Sequence, residues 1–319
     1  MNLGGMRFYG HRKLHVGLLI TAALSMWPAV SASAQSTCNG LPATIIGAAP
    51  GQINGTAGDD VILGTIGDDQ IFGLGGNDVI CAGRGIDTVD GGDNADTFVW
   101  NPGDGSDVVE GQAGVDTLLF NGANISENID ISANGARLRF FRNVANVTMD
   151  MNDIEHINYN ALGGADTITV NSLAGTAAQQ VNLNLAGTLG GSTSDGQADT
   201  VIVNGTNASD SMTISGSAGS VAVLGLSSGI NVSATDGALD SLRVFAQGGA
   251  DLVSAQTLAS GVVGLTLDGG AEDDTLTGSA GDDLLTGGLG ADHFSGGPGT
   301  DAVTDFNAGE GDTQDGTIP

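Results

Sequence analysis

Residues 55–81 read GTAGDDVIL, GTIGDDQIF, GLGGNDVIC: three nine-residue units, each with an aspartate sixth and an aliphatic residue eighth. The pattern continues as AGRGIDTVD from Ala82 and GGDNADTFV from Gly91. Asp60, Asp69, Asp78, Asp87 and Asp96 hold the sixth position, while Ile62, Ile71, Ile80, Val89 and Phe98 hold the eighth. After a two-residue insertion near Trp100 and Asn101 the frame resumes with Asp107 and Asp116, followed by Val109 and Leu118. A fixed short period is the signature of a repeat architecture, in which each unit buries its apolar face only against its neighbours.

A second array reads GGAEDDTLT, GSAGDDLLT, GGLGADHFS and GGPGTDAVT from Gly269. Here Asp274, Asp283, Asp292 and Asp301 are sixth, and Leu276, Leu285, Phe294 and Val303 are eighth. Eleven aspartates on one repeat position are not a product of composition. The units at Gly287 and Gly296 follow G-G-x-G-x-D-x-U-x closely.

These residues resemble the RTX, or haemolysin-type, calcium-binding repeat, over about Gly55–Phe120 and Gly269–Thr304. The resemblance implies a parallel β-roll in which each unit is a six-residue loop and a three-residue strand, two units making one turn. Same-side loops are then eighteen residues apart, and Ca²⁺ sits between Asp60 and Asp78, Asp69 and Asp87, Asp78 and Asp96, Asp274 and Asp292, and Asp283 and Asp301. The chemistry stands without the family. Glycines at positions one, two and four permit left-handed backbone that turns carbonyls inward, with Gly58, Gly67, Gly76, Gly281, Gly290 and Gly299 at position four. The aspartate adds a carboxylate, and Ca²⁺ takes six to eight oxygen ligands. Aspartates that form only metal-free Asx-turns are the alternative, at the cost of unneutralised like charges in close rows. Ala82 at position one, and Asn94 and Glu272 at position four, depart from the pattern and predict weaker or empty sites; Arg84 places a positive charge near one row.

Composition agrees with a solenoid that needs cations. The 319 residues include 54 glycines, and 37 acidic residues stand against 8 basic ones, a net charge of −29. No cluster of Lys and Arg exists to meet phosphates, which excludes a nucleic-acid binder. Aromatics are only 4% of the chain, which argues against a large aromatic-lined pocket.

Residues 1–34 read as a secretory signal peptide: Arg7, Arg12 and Lys13, an apolar run from Leu14 to Val30 broken by Pro28, then Ala32-Ser33-Ala34. The expected product is a secreted, extracellular protein with no transmembrane segment in the mature chain. It keeps five arginines, no lysine and all 37 acidic residues. Cys38 and Cys81 both follow the cleavage point, and an even count in an exported chain suggests a disulfide.

The expected organisation is an N-terminal cap over 35–54, a first array over 55–120, an irregular region over 121–267, a second array over 268–304 and a tail over 305–319. The irregular region holds short β-branched segments, among them DTITV from Asp166, DTVIV from Asp199 and SLRVF from Ser241. Many look like a degenerate Asp-then-strand unit, giving a β-helix with longer rungs; an inserted β-sandwich is the alternative. Arg137, Arg139 and Arg142 there read as a solvated strand face or as local pairing with acidic neighbours, with a binding patch as the alternative.

No catalytic motif is credible. The mature chain has no H-E-x-x-H, and His156 and His293 read as surface or packing residues. Gly225-Leu226-Ser227-Ser228-Gly229 fits G-x-S-x-G, but the elbow needs a strand-to-helix turn, and the residues after Gly229 read as a strand. The expectation is an all-β, non-catalytic secreted protein binding several Ca²⁺ ions, with a cell surface or further copies of itself as possible partners. A surface adhesin or layer component on the same fold, or a hydrolase with its site in the middle region, are the alternatives.

Overall fold

A computed structural model describes residues 36–318; the segment 1–34, read from sequence as a signal peptide, lies outside the described residues. Among the described residues, apart from one single-turn 3₁₀ helix at Val144–Asn146, every regular element is a strand. The strands form two long sheets, of 13 and 14 strands, plus a two-stranded N-terminal ribbon. Within the arrays successive strands alternate between the sheets, so each nonapeptide adds one strand to one side. The all-β, parallel architecture expected from the repeats is the one observed.

The register is the repeat. Val61 pairs in parallel with Val79, and Ile62 with Ile80, eighteen residues on. Gln70 pairs with Thr88 in the other sheet, and Thr275 with His293 in the second array. The insertion near Trp100 lengthens one turn, so Thr97 pairs with Thr117. The eighth-position side chains Ile62, Ile71, Ile80, Leu118, Leu276 and Leu285 are fully buried, in one cluster that runs from Ile53 to Ile318.

Thr275–Thr277 and His293–Ser295 have the expected three residues, but other array strands are longer: Val61–Thr65 has five and Gln70–Gly75 six. They extend into the first glycine of the following unit, because that position also faces inward. A Cβ on Gly73 would lie 2.3 Å from the Gly91 carbonyl oxygen and 2.4 Å from Asp78 Oδ2. The missing side chain is what lets successive turns stack and the carboxylate tuck beneath.

The irregular region belongs to the same two sheets. Thr167–Val170, Thr200–Asn204 and Ser241–Phe245 are consecutive neighbours in the 13-stranded sheet and continue into Gly264–Ala271 of the second array. The departure from the parallel expectation is a pair of antiparallel meanders. Asn128–Asn134, Arg137–Arg142 and Val147–Asn152 fold back and forth in one sheet, and Ser211–Ser217, Ser220–Leu224 and Gly229–Ser233 do so in the other. Each meander advances its own sheet by two extra strands, so the second restores the step that the first removed.

The sheets also overrun both ends of the arrays. Ile45–Ile46 and Gln52–Asn54 pair with the first repeats, and Thr313–Gln314 pairs with His293–Ser295. Cys38 and Cys81 are joined in a disulfide that pins the ribbon Thr37–Cys38/Leu41–Pro42 to the outer face of one sheet, beside Val99. With 43 residues between the cysteines, the chain-entropy model gives it about 4 kcal/mol.

Candidate metal-binding ladders

Each strand of the arrays starts at or just after its sixth-position aspartate, and these aspartates stack into ladders along the two sheets. The backbone N–H of Asp60 donates to Asp78 Oδ1 at 2.8 Å, that of Asp78 to Asp96 Oδ1 at 2.8 Å, and that of Asp96 to Asp116 Oδ1 at 2.8 Å. On the other side Asp69 donates to Asp87 at 2.7 Å and Asp87 to Asp107 at 3.0 Å. In the second array Asp274 donates to Asp292, Asp283 to Asp301, and Asp292 to Asp312. All eleven aspartates singled out by the repeat are buried.

The ladders run through the irregular region as well. Asp116 donates to Glu155, Glu127 to Asp166, Asp166 to Asp199, and Asp199 to Asp240; Asp210 donates to Asp251, and Asp251 to Asp274. Sequence reading had no ladder role for Glu127, Glu155, Asp210, Asp240, Asp251 or Asp312. The signal was present for all but Asp312: each of the others is an acidic residue two positions before an inward-facing residue, as in Glu127-Asn128-Ile129 and Asp251-Leu252-Val253.

The second carboxylate oxygen divides the loops into two kinds. In one kind the loop closes on its own aspartate: the N–H of Thr56 donates to Asp60 Oδ2, that of Thr65 to Asp69 Oδ2, that of Thr206 to Asp210 Oδ2, that of Asp236 to Asp240 Oδ2 and that of Ser279 to Asp283 Oδ2. In the other kind the second loop residue takes a positive φ, as in Leu74 (79°), Gly92 (106°), Gln112 (70°) and Gly270 (103°). That turn carries the N–H away, and Oδ2 of Asp78, Asp87, Asp96, Asp116, Asp166, Asp251, Asp274 and Asp301 is buried with no hydrogen-bond partner.

The fourth-position glycines follow the same division. Gly76, Gly290 and Gly299 have φ of 107°, 145° and 149°. Gly58, Gly67 and Gly281, expected to share that left-handed backbone, are outside the positive-φ set. They lie in the loops that Thr56, Thr65 and Ser279 close, where a Thr or Ser hydroxyl sits over the turn. The substitutions at Ala82, Asn94 and Glu272 leave their loops in the open form: Asp87, Asp96 and Asp274 all keep the free oxygen.

A buried carboxylate oxygen without a donor is costly, and a cation removes that cost. The metal-free electrostatics agree. Burial pushes Asp96 up to about 7 against the pull of the Asp78 N–H, and the carboxylates of Asp78 and Asp116 add to the rise. Burial likewise lifts Asp274 to about 7, with Asp251 and Asp292 adding to it. No three His, Cys, Asp or Glu side chains converge on one point among the described residues, so an ion here must complete its shell from backbone carbonyls. A hard, oxygen-preferring cation of flexible coordination fits that donor set; a thiolate- or imidazole-seeking metal does not.

Elsewhere the polar groups are paired internally. Arg137 bonds Glu110 at 2.8 Å and Asp150 at 2.6 Å, and Arg139 bonds Asp130 at 2.8 Å. Arg142 is buried against Glu127, with Nε to Oε1 at 2.5 Å, and its guanidinium lies 5.3 Å from the Trp100 ring centre. Trp100, Phe120 and Phe140 stack beside it, and the Tyr159 hydroxyl donates to Glu127 Oε2 at 2.9 Å. Asparagines on the outer face of the 14-stranded sheet hold one another: Asn160 donates to Asn121 at 2.8 Å, and Asn182 to Asn158 at 2.7 Å. Ser227 lies in the turn between strands Ser220–Leu224 and Gly229–Ser233, with no helix after it, and the neighbouring Ser228 hydroxyl donates to the Ala178 carbonyl at 2.7 Å. His293 is exposed, its Nδ1 2.9 Å from Thr313 Oγ1.

Comparison with known families matches this chain to the RTX calcium-binding nonapeptide repeat, in four copies at residues 54–89, 75–99, 103–124 and 268–303. No curated protein matches the chain. The two arrays are RTX calcium-binding repeats, and they cover about a third of the sequence.

Proposed function

We propose that this is an exported, non-catalytic protein whose arrays fold and are held by Ca²⁺ at the open loops. The observation that carries the reading is the set of buried, unpartnered Oδ2 atoms, six of which fall in the matched repeats, at Asp78, Asp87, Asp96, Asp116, Asp274 and Asp301. Gly76 and Gly299 set the backbone of two of these loops, and Gly290 has the same left-handed turn in the loop that ends at Asp292. Asp60, Asp69 and Asp283 contribute through the ladder, each donating its N–H to the carboxylate below. When bound, the ion neutralises the carboxylate and completes its shell from the surrounding carbonyls.

Binding to the folded state alone becomes folding free energy. One inward side chain per nonapeptide gives a thin core, which does not offset chain entropy and charge repulsion by itself. Affinities of extracellular modules, about 10⁻⁴–10⁻³ M, would keep the chain loose in a low-calcium compartment and fold it outside. Non-catalysis is supported by the groove on the outer face of the middle region. Asn121, Asn158, Asn160, Asn182 and Asn184 line it, and amides neither donate nor take protons at neutral pH.

The test is a calcium titration of chelated mature protein, followed by circular dichroism and by hydrogen exchange. β-structure should rise cooperatively, with protection gained in Val61–Thr65, Gln70–Gly75, Val79–Gly83 and Asp283–Leu289. Unchanged β-structure together with binding of no more than one ion per chain overturns the reading.

A further inference from the structure

Two loops of the middle region read Ala161-Leu-Gly-Gly-Ala-Asp166 and Ala246-Gln-Gly-Gly-Ala-Asp251, 85 positions apart and differing at one residue. Neither falls in the matched repeats. Their backbones are alike: Leu162 and Gln247 have φ of 71° and 80°, and Gly164 and Gly249 have φ of 118° and 100°. The array loop that ends at Asp78 has the same turn, with Leu74 at 79° and Gly76 at 107°. A non-glycine residue held at positive φ is strained, so something must compensate it in both loops.

Both loops also carry the mark of the array sites. Asp166 and Asp251 are 2% and 3% exposed, and each has a buried Oδ2 without a hydrogen-bond partner while Oδ1 accepts a ladder N–H. Each loop receives a second carboxylate from the coil that follows. The Gly164 N–H donates to Asp195 Oδ2 at 3.1 Å, and the Gly249 N–H donates to Glu272 Oε2 at 2.7 Å. Glu272, which departs from the glycine expected at that place, thus reaches back over the Asp251 loop.

Their neighbours differ. Asp210 is one turn from Asp251 on the same ladder, but its Oδ2 accepts the Thr206 N–H at 2.7 Å and also meets the Thr206 hydroxyl. Glu127, one turn from Asp166, is neutralised by Arg142. Acidity alone therefore does not select the loops; the free oxygen and the second carboxylate do.

We infer that the loops 161–166 and 246–251 each bind one Ca²⁺, so that the metal-binding surface extends beyond the nonapeptide arrays into the middle of the roll. The inference rests on the calcium reading of the arrays. Its ligands are the free oxygen of Asp166 or Asp251, loop carbonyls, and Asp195 or Glu272 at the rim.

The experiment is a count of bound calcium by equilibrium dialysis on the whole protein, with single variants D166N and D251N and the control D210N. Asparagine keeps the Oδ1 acceptor of the ladder and puts an NH₂ donor where the free oxygen stood. Each of D166N and D251N should lose one ion relative to the unaltered protein, and D210N none. An unaltered count in both variants overturns the inference while leaving the array reading intact; an unaltered protein that binds no calcium overturns the array reading itself. Should a variant fail to fold, hydrogen exchange of the unaltered protein decides: calcium should slow exchange at 161–166 and 246–251 more than at 205–210. Equal slowing at all three loops counts against the inference.

Discussion

The first array and the middle region are built on the same ladder of buried acids, yet they settle the charge differently. In residues 55–120, four of the seven sixth-position aspartates keep an oxygen with no partner, and a single arginine, Arg84, lies among them. In residues 121–267, Glu127 has Arg142 and Tyr159, while Asp210 and Asp240 are closed by their own loops. The cores differ in the same sense. The array places one aliphatic per nonapeptide inside, whereas the junction with the middle region packs Trp100, Phe120, Phe140 and Tyr159 together. On the proposed reading, dependence on metal is therefore a property of individual loops and not of the solenoid as such. Because stability in a repeat protein is a sum of local and nearest-neighbour terms, the two regions can be separated by experiment.

The largest expected effect that separates them comes from pH, because it acts on many groups at once. In the metal-free fold, burial lifts Asp87 and Asp116 to about 6, and Asp96 and Asp107 to about 7. An unfolded aspartate titrates near 3.9. Between these values the folded array holds more protons than the unfolded chain, so its stability is full below about 4 and falls as pH rises to about 7. Calcium reverses the sign: an ion in place of the proton favours the ionised carboxylate, and stability is then lost as pH falls. In chelator the melting temperature of the array should drop from pH 5 toward pH 8, where its β-structure is lost, and in excess calcium it should rise over the same range. The same slope in both conditions would remove the cation from the account of the array.

The sequence carried the array almost completely and the middle region only in part. Position eight follows from periodicity, because each unit repeats one backbone, whereas the eighteen-residue register and the ladder of Asp60, Asp78 and Asp96 follow from the resemblance, which puts two units in each turn. The two meanders did not show, since LRFF from Leu138 and SMTIS from Ser211 alternate just as parallel strands do, and alternation carries no direction. The division of loops into closed and open was written at the second position, Thr, Ser or Asp against Gly, but Leu74, Gln112, Leu162 and Gln247 hide it. Their propensities disfavour positive φ, and only the stacked neighbours hold them there. The Arg142–Glu127 pair joins residues fifteen apart across a hairpin that the pattern did not announce.

Next in size is the removal of that internal cation. Arg142→Met leaves Glu127 fully buried without its guanidinium, and breaking a buried pair on one side costs about 3–5 kcal/mol. Urea unfolding in excess calcium should show this loss, and the double variant R142M/E127Q should recover much of it, since an amide still accepts from Tyr159 and the Ala123 N–H. If R142M instead takes up an additional calcium ion and keeps its stability, the arginine and the metal are interchangeable at this rung. That outcome would merge the two regions.

The smallest effect tests the closed loops of the array itself. Thr56 supplies two contacts to Asp60 Oδ2, its backbone N–H at 2.7 Å and its hydroxyl at 2.9 Å, and the hydroxyl also accepts the Gly58 N–H at 3.2 Å. Thr56→Ala removes the hydroxyl and keeps the backbone donor, so the loop stays closed. The cost should be about 1 kcal/mol, the usual size for a lost cap-like hydrogen bond. The number of bound calcium ions should not change, whereas Asp78→Asn, which alters an open loop with partners above and below, should lower it. If T56A adds an ion, the hydroxyl and not the backbone turn is what keeps calcium from this loop, and the second-position φ loses its role as the discriminator between the two kinds.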